Sequence, residues 1–519
     1  MSEERTDKQH ASNTVAAIDI GSNSLRMVIA DVLPDGKIEI LERLQQAIRL
    51  GQDTFQHGRI GARTMKAAID ILRNYRRALG LYRVKRLRAV ATSAVREAGN
   101  ADTFLDRILM ATDFRVEIIA TSEENRLTVA AVRRAVGDAM GINKDKTLIC
   151  EVGGGSTLLT TLSEGQVDTS ESLRLGSMRL QETLRTSTEH PQRSAELMRQ
   201  QIAIQIDGLN QSMPLKKVRS FVAIGGDARF AAREVGEPTD QPGLRAVEQA
   251  ALDKLVRRCR RLTADELAKN FGLSFAEAET LTPALLVYLA LLRKTSTKKL
   301  LVAEVSLRDG MLLDLAEHVT GHEDKAMLRG AIRSAMAIAE KFHVNLDHAQ
   351  NVVGMAMALF DELKTEHVLL PRHGLLLRLA GLLHEVGGVV STRAHHKHSY
   401  YLLANSEIFG LAHDEILMVA HIARYHRRSA PKPSHTEYMM LPRESRVAIS
   451  KLAALLRVAD ALSRGHLHDA EDLRFERRAD ELIIHVPGGV DLLLEERDLA
   501  TKGDLFEDIY GLKIRLEQV

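Results

Sequence analysis

The chain has 519 residues, too many for one hydrophobic core, so roughly two to four domains are expected. Lysine plus arginine (71) nearly balances aspartate plus glutamate (69), a net +2 with histidine neutral, which argues against a dedicated nucleic-acid binder. Two cysteines, Cys150 and Cys259, cannot build a disulfide framework, Met1 to Asn13 lacks the apolar core of a signal peptide, and no apolar run reads as a membrane span; a cytoplasmic protein without a membrane partner is expected.

Val15 to Ala30, VAAIDIGSNSLRMVIA, reads as a buried strand, a tight polar turn and a return strand. Gly21 lets backbone N–H groups approach an oxyanion, and Ser22, Asn23 and Ser24 add side-chain donors. Asp19 would repel phosphate, so its role is to hold a cation that phosphate shares. Gly61 to Leu79 has helical apolar spacing. Leu87 to Thr92 and Val116 to Ile119 are strands that end in polar residues, which describes an α/β domain with its site at the carboxyl edge.

Thr147 to Thr161, TLICEVGGGSTLLTT, repeats the first pattern: an apolar strand, an acid (Glu151), a loop with Gly154, Gly155 and Ser156, and another apolar stretch. FVAIGGDARF, residues 221 to 230, is a looser third copy containing Gly226. Repeated strand, acid, glycine and hydroxyl loops suggest two related half-domains facing each other across a phosphate-binding cleft. Gly165 to Leu173 reads as a hairpin return, Ala250 to Leu292 as mostly helical, and Leu300 to Val305 as the last strand before Leu307-Arg308-Asp309-Gly310 and a further helix.

The order AIDIGSNS, ATSAVREAGN, EIIATSEENRL, EVGGGST, LRLGSMRL, AIGGDARF and SLRDG resembles the exopolyphosphatase and guanosine pentaphosphate phosphohydrolase family, from Val15 to about Leu315. The resemblance implies an actin-like pair of ribonuclease-H-like domains. It also implies hydrolysis of a terminal phosphate from inorganic polyphosphate or guanosine pentaphosphate, normally with magnesium. Glu124 matches the catalytic glutamate that orients or deprotonates water. Asp19 and Glu151 match positions that place the metal, and Arg96 matches a phosphate-binding arginine. Gly21, Ser22, Asn23, Ser24, Gly154, Gly155, Ser156 and Gly226 would line the phosphate path. The chain departs from the family at Glu151, usually Asp, at Leu158, usually an acid, and at Asp227, usually a hydroxyl residue. Those departures motivate an alternative reading, a sensor that binds polyphosphate or a guanosine alarmone without cutting it.

Fifteen of the twenty histidines lie beyond residue 340. Met327 to Lys364 reads as helical, with His348 in line with Val352, Met355 and Leu359. Leu375 to Leu383 is an apolar helix ending in His384-Glu385, and Leu452 to Leu462 is apolar except at Arg457 and Asp460. The series resembles the HD phosphohydrolase superfamily, which implies a metal set of His348, His384, Glu385 and Asp460; the doublet is His-Glu rather than His-Asp. A metal-free helical domain is expected, with a second divalent metal and an HD-type hydrolase as the further alternative. Beyond Asp460, LRFER, ELIIHV, VDLLLEE and the stretch at Tyr510 read as strands.

The expected organisation is a flexible 1–14, actin-like domains over 15–132 and 133–318, an HD-like helical domain over 319–468 and a small β-rich element over 469–519. Basic residues Arg393, Lys397, Arg424, Arg427 and Arg428, and a second run at Arg257, Arg258, Arg260 and Arg261, offer a route for a polyanion if the helical domain packs over the cleft. A homodimer is compatible with this organisation, and no specific nucleic acid is expected.

Overall fold

The computed structural model describes residues 13–136, 145–186, 189–209, 212–320, 325–427, 429–465, 473–488 and 491–518. The chain divides into two compact units, Met1–Ala326 and Met327–Val519.

The first unit contains two sheets built on one plan. In the first, β1 (Asn13–Ile20), β2 (Ser24–Val32) and β3 (Ile38–Ala47) form an antiparallel meander, and β4 (Arg86–Ala91) and β5 (Val116–Ile118) add parallel strands beside β1, in the order β3-β2-β1-β4-β5. The second sheet repeats this with β6 (Thr147–Val152), β7 (Thr157–Ser163), β8 (Gln166–Leu173), β9 (Ser220–Ile224) and, after the added edge pair β10 (Glu237–Pro238) and β11 (Leu244–Glu248), β12 (Lys299–Ala303). Its core order, β8-β7-β6-β9-β12, is the first sheet's order again. The apolar runs of β1, β4, β6 and β9 are continuous rather than alternating because these central strands are covered on both faces.

Helix Phe275–Lys294 is long and apolar enough to cross a membrane by length and composition, so one run does reach the length that the sequence reading denied. It is a core helix of the second sheet's half, with Leu281, Leu285 and Tyr288 buried. Tyr288 Oη donates to Ile224 O at 2.6 Å and accepts from Val152 N–H at 3.0 Å, tying together the ends of β6 and β9 where the loops begin.

Helix Leu307–Thr320 follows β12 in the chain but packs on the first sheet. Leu307, Met311 and Leu312 join Val15, Ala17, Val28 and Val90 in one buried cluster with Leu127 of helix Thr121–Val136.

The second unit is a helical bundle whose core runs through helices Leu346–Glu362, Pro371–Leu383, His413–Arg424 and Arg443–Leu462. The closing sheet pairs β13 (Arg474–Arg478) antiparallel and β15 (Lys513–Gln518) parallel with β14 (Glu481–Val486). The stretch VDLLLEE, expected to be a strand, instead opens helix Leu493–Lys502. Leu493 and Leu494 are exposed while Glu495, Leu499 and Lys502 are buried, so the inward residues follow helical spacing.

Candidate functional site

Two hairpins of like geometry face one cavity of about 600 Å³. After β1, Gly21 N–H donates to Ser24 O at 3.1 Å; after β6, Gly153 N–H donates to Ser156 O at 2.9 Å. Each turn brings the last acid of its strand to the cleft: Asp19 opposite Arg26 across β1 and β2, and Glu151 opposite Leu158 across β6 and β7. The loops meet closely enough to require glycine. A Cβ on Gly154 would stand 2.9 Å from Ser22 Cβ, and one on Gly155 would stand 2.2 Å from Ser93 Oγ. Ser22 and Ser93 share a hydrogen bond of 3.2 Å across the same seam.

Gly21, Ser22, Asn23 and Ser24 line this cavity with Gly154, Gly155, Ser156 and Gly226, and so do Asp19, Glu124 and Glu151. Asn23 Nδ2 donates to Ala276 O at 3.0 Å, and its Oδ1 is buried with no partner. Arg96 is not among the lining residues; its Nη1 donates to Ile119 O at 2.6 Å and to Glu124 Oε1 at 2.5 Å, so it holds the acid.

Glu124 lies in the first turn of helix Thr121–Val136 and is 6% exposed. Burial pushes its carboxyl up to about 7 against the pull of Arg96, and the nearby Glu151 and Asp19 add to the rise. Glu151, which accepts from Thr128 Oγ1 at 3.3 Å, is raised by burial and then by Asp19. Asp227, in the first turn of helix Gly226–Val235, is pushed up to about 7 by burial, against Arg26 and Arg229. The cleft therefore collects carboxylates faster than it neutralises them, and an all-oxygen donor set of this kind fits a hard divalent cation.

The sequence reading missed two arginines. Arg26 Nη1 lies 4.0 Å from Asp19 Oδ2, and its buried Nε has no hydrogen-bond partner. Arg308 Nη1 lies 3.5 Å from the same oxygen and is likewise buried without a hydrogen-bond partner. Burial lowers the Arg308 guanidinium to about 10, Asp19 notwithstanding. Both line the cavity and keep donors to spare for phosphoryl oxygens. The register of the first hairpin identifies Arg26, and the motif SLRDG contains Arg308.

In the second unit, His348, His384 and Asp460 converge, their nearest ligand atoms all within 4.8 Å of one another. Nε2 of His348 and of His384 lie 3.7 and 3.9 Å from Asp460 Oδ1. His384 Nδ1 donates to Gly381 O at 2.7 Å, and its buried Nε2 has no partner. Glu385 is corrected as the fourth member. It caps the short turn Val386–Val389, half-buried and outside the group, because the chain turns immediately after His384. Instead Lys502, from the helix mistaken for a strand, donates to Asp460 Oδ2 at 2.7 Å. The acid's partner is thus Lys502; Arg457 pairs with Asp504 at 2.6 Å.

The basic runs are partly committed: Arg257 pairs with Asp253 at 2.8 Å, Arg258 lies over the Phe271 ring, and Arg424 lies over Tyr400. Arg428 lies outside the described residues.

Two actin-like halves closing on a phosphate-sized, carboxylate-rich cleft define a class of phosphoryl-handling proteins. Residues 13–319 match the Ppx/GppA phosphatase family and residues 331–505 match its domain III, so the chain belongs to the Ppx/GppA phosphatase family. It is 23% identical over 458 residues to a guanosine-5'-triphosphate,3'-diphosphate pyrophosphatase of Photobacterium profundum, covering 87% of this chain and 86% of that protein. A protein of the same name from Vibrio campbellii is 22% identical over 471 residues, covering 89% of each. An exopolyphosphatase from Cytophaga hutchinsonii shares the fold at a TM-score of 0.53 and 22% identity, over 59% of this chain and 98% of that one.

Proposed function

We propose that this protein is a phosphoanhydride hydrolase that releases terminal orthophosphate from inorganic polyphosphate or guanosine pentaphosphate, with Glu124 orienting and deprotonating the attacking water. The observation that carries the reading is Glu124 itself: a buried carboxyl at the cleft, held by Arg96 and raised to about 7. A base poised near neutrality can take a proton from water without being permanently protonated or too weak. Relatives named for guanosine pentaphosphate and a fold neighbour named for polyphosphate support both substrates.

Arg26 and Arg308 bind phosphoryl oxygens, and the two glycine loops add backbone N–H groups. Asp19 and Glu151, which line the cavity as Asp227 does, would hold a hard divalent cation such as magnesium. When bound, that cation neutralises charge on the transferring phosphoryl group. Arg96 keeps Glu124 turned to the cleft and moderates its rise. The histidine group of the second unit is read as metal-free, with Lys502 in place of a metal.

The test is phosphate release from long-chain polyphosphate and guanosine pentaphosphate, measured side by side with magnesium. Wild-type protein should release orthophosphate from at least one. Glu124→Gln should lower the rate roughly 100-fold or more, the usual reach of general-base catalysis. Unchanged release in that variant would move the chemistry elsewhere. Leu158, apolar where it faces Glu151, favours a second reading in which the cleft binds without cutting. Tight binding by calorimetry with no release, and release created by Leu158→Glu with Asp227→Thr, is its signature.

A further inference from the structure

The acid next to Glu124 does not line the cleft. Glu123 is 4% exposed and lies about 100° around the helix from Glu124. It accepts from Arg126 Nε at 2.7 Å, from Arg126 Nη2 at 2.9 Å and from Arg88 Nη2 at 2.8 Å. The same two arginines continue to Asp314: Arg126 Nη1 reaches Oδ1 at 2.9 Å, and Arg88 Nη1 reaches Oδ2 at 2.8 Å. Arg126 Nη2 also contacts Asp314. Asp314 lies on helix Leu307–Thr320, whose first turn brings Arg308 to the cleft.

A second observation places the same two helices in backbone contact. A Cβ on Gly310 would fall 2.1 Å from Leu127 O, so only glycine allows the approach. Leu127 is three residues beyond Glu124, and Gly310 is two beyond Arg308. Each functional side chain therefore stands within a turn of the point where the helices touch.

A buried ionic network is a weak source of net stability, because desolvation offsets much of the attraction. Its distinctive product is geometry. Planar guanidinium forks fix spacing and orientation in a way that apolar packing does not. We propose that Arg88, Glu123, Arg126 and Asp314 are positioning residues that lock helices Thr121–Val136 and Leu307–Thr320 into one body and so fix Glu124 relative to Arg308. The network holds the water-orienting acid and a phosphate-binding cation at one spacing, whatever the second half of the cleft does. This rests on the reading of Glu124 given above.

The test is Arg126→Met, with kcat and KM for phosphate release measured separately, a pH–rate profile and thermal unfolding. The expected result is a folded protein whose kcat drops roughly 10- to 100-fold, as misplacement of reacting groups by about an ångström costs, with KM near wild type. The acid limb of the profile should move, because the surroundings of Glu124 change. Arg126→Lys, which keeps the charge without the fork, should recover little. A folded Arg126→Met protein with wild-type kcat and profile overturns the proposal. If Arg126→Met does not fold, Glu123→Gln, of nearly the same volume, decides: a lowered kcat supports the network and an unchanged one overturns it. Loss of hydrolysis in Glu124→Gln beside full activity in Arg126→Met removes only the network. Full activity in Glu124→Gln removes the functional reading on which the proposal stands.

Discussion

The cleft of the first unit and the histidine group of the second each place an acid among polar side chains inside a folded domain, and they treat it oppositely. In the cleft, burial raises Glu124 and Asp227 to about 7, and Glu151 rises as well. In the histidine group, Asp460 is buried too, yet His348, His384, His426 and Lys502 hold it well below the usual carboxylate range. In the cleft the arginines do not offset burial at Glu124 and Asp227, whereas at Asp460 the histidines and Lys502 more than offset it. Likeness of residue types, acids and histidines near apolar helices, does not distinguish a ligand site from a closed one. What differs is the balance between burial and counter-charge at each acid.

The comparison breaks hardest at Lys502. Lys502→Ala leaves Asp460 without its 2.7 Å partner, and losing one side of a buried pair should cost about 3 kcal/mol in unfolding of the second unit. The same variant should gain stoichiometric zinc or manganese after dialysis, lost again on adding His384→Ala, because three ligand atoms already converge. Metal retained by the wild-type protein would erase the contrast.

Arg308→Ala should act on the cleft alone. Removing a charged hydrogen bond to phosphate, worth roughly 1.5–3 kcal/mol, should weaken substrate binding roughly 10- to 100-fold. Thermal stability should hold, since the ion pair of the guanidinium with Asp19 is a loose one at 3.5 Å. A marked loss of stability with unchanged substrate binding would make Arg308 structural.

The comparison is sharpened last by pH. Glu124 is raised from 4.5 unfolded to about 7 folded, so its charged form is disfavoured by the fold. The stability it costs is absent at low pH, grows as pH rises from about 4.5 through about 7, and levels off at about 3 kcal/mol. Magnesium should therefore raise the Tm of the first unit more at pH 8 than at pH 5.5. Phosphate release should rise with pH through about 7, where Glu124 becomes a base. His348, raised by Asp460 beside it, gives stability that is full below about 6.5 and lost as pH rises through its folded value. Magnesium should not restore that loss. Equal magnesium stabilisation at both pH values would count against a metal held by these acids.

The duplicated sheet was legible because glycine and hydroxyl residues recur after apolar strands, a local signal at both Gly21 and Gly154. Glu124 was reachable only through resemblance, since an acid at a helix start is ordinary in itself. What the sequence hid were pairings between distant positions. Arg308 reaches Asp19 across nearly the whole first unit, and Lys502 meets Asp460 from a different helix. Neither leaves a periodic trace. Arg96 was read as a phosphate contact from its place after a strand; its pairing with Glu124, 28 residues on, left no local sign. VDLLLEE was misread because a short apolar run fits strand or helix equally. The helix that formed there is the one that carries Lys502 to the acid.

The contact at Gly310 has a consequence for how this chain can change over generations. Any side chain there must force a helix backbone away from Leu127 O, 2.1 Å from the first added carbon. The helices so parted carry Glu124 and Arg308. At most sites a lineage can exchange durability for turnover, softening a contact to gain motion. On the roles proposed for Glu124 and Arg308, a side chain at Gly310 would cost durability and turnover together, leaving drift no such exchange to make.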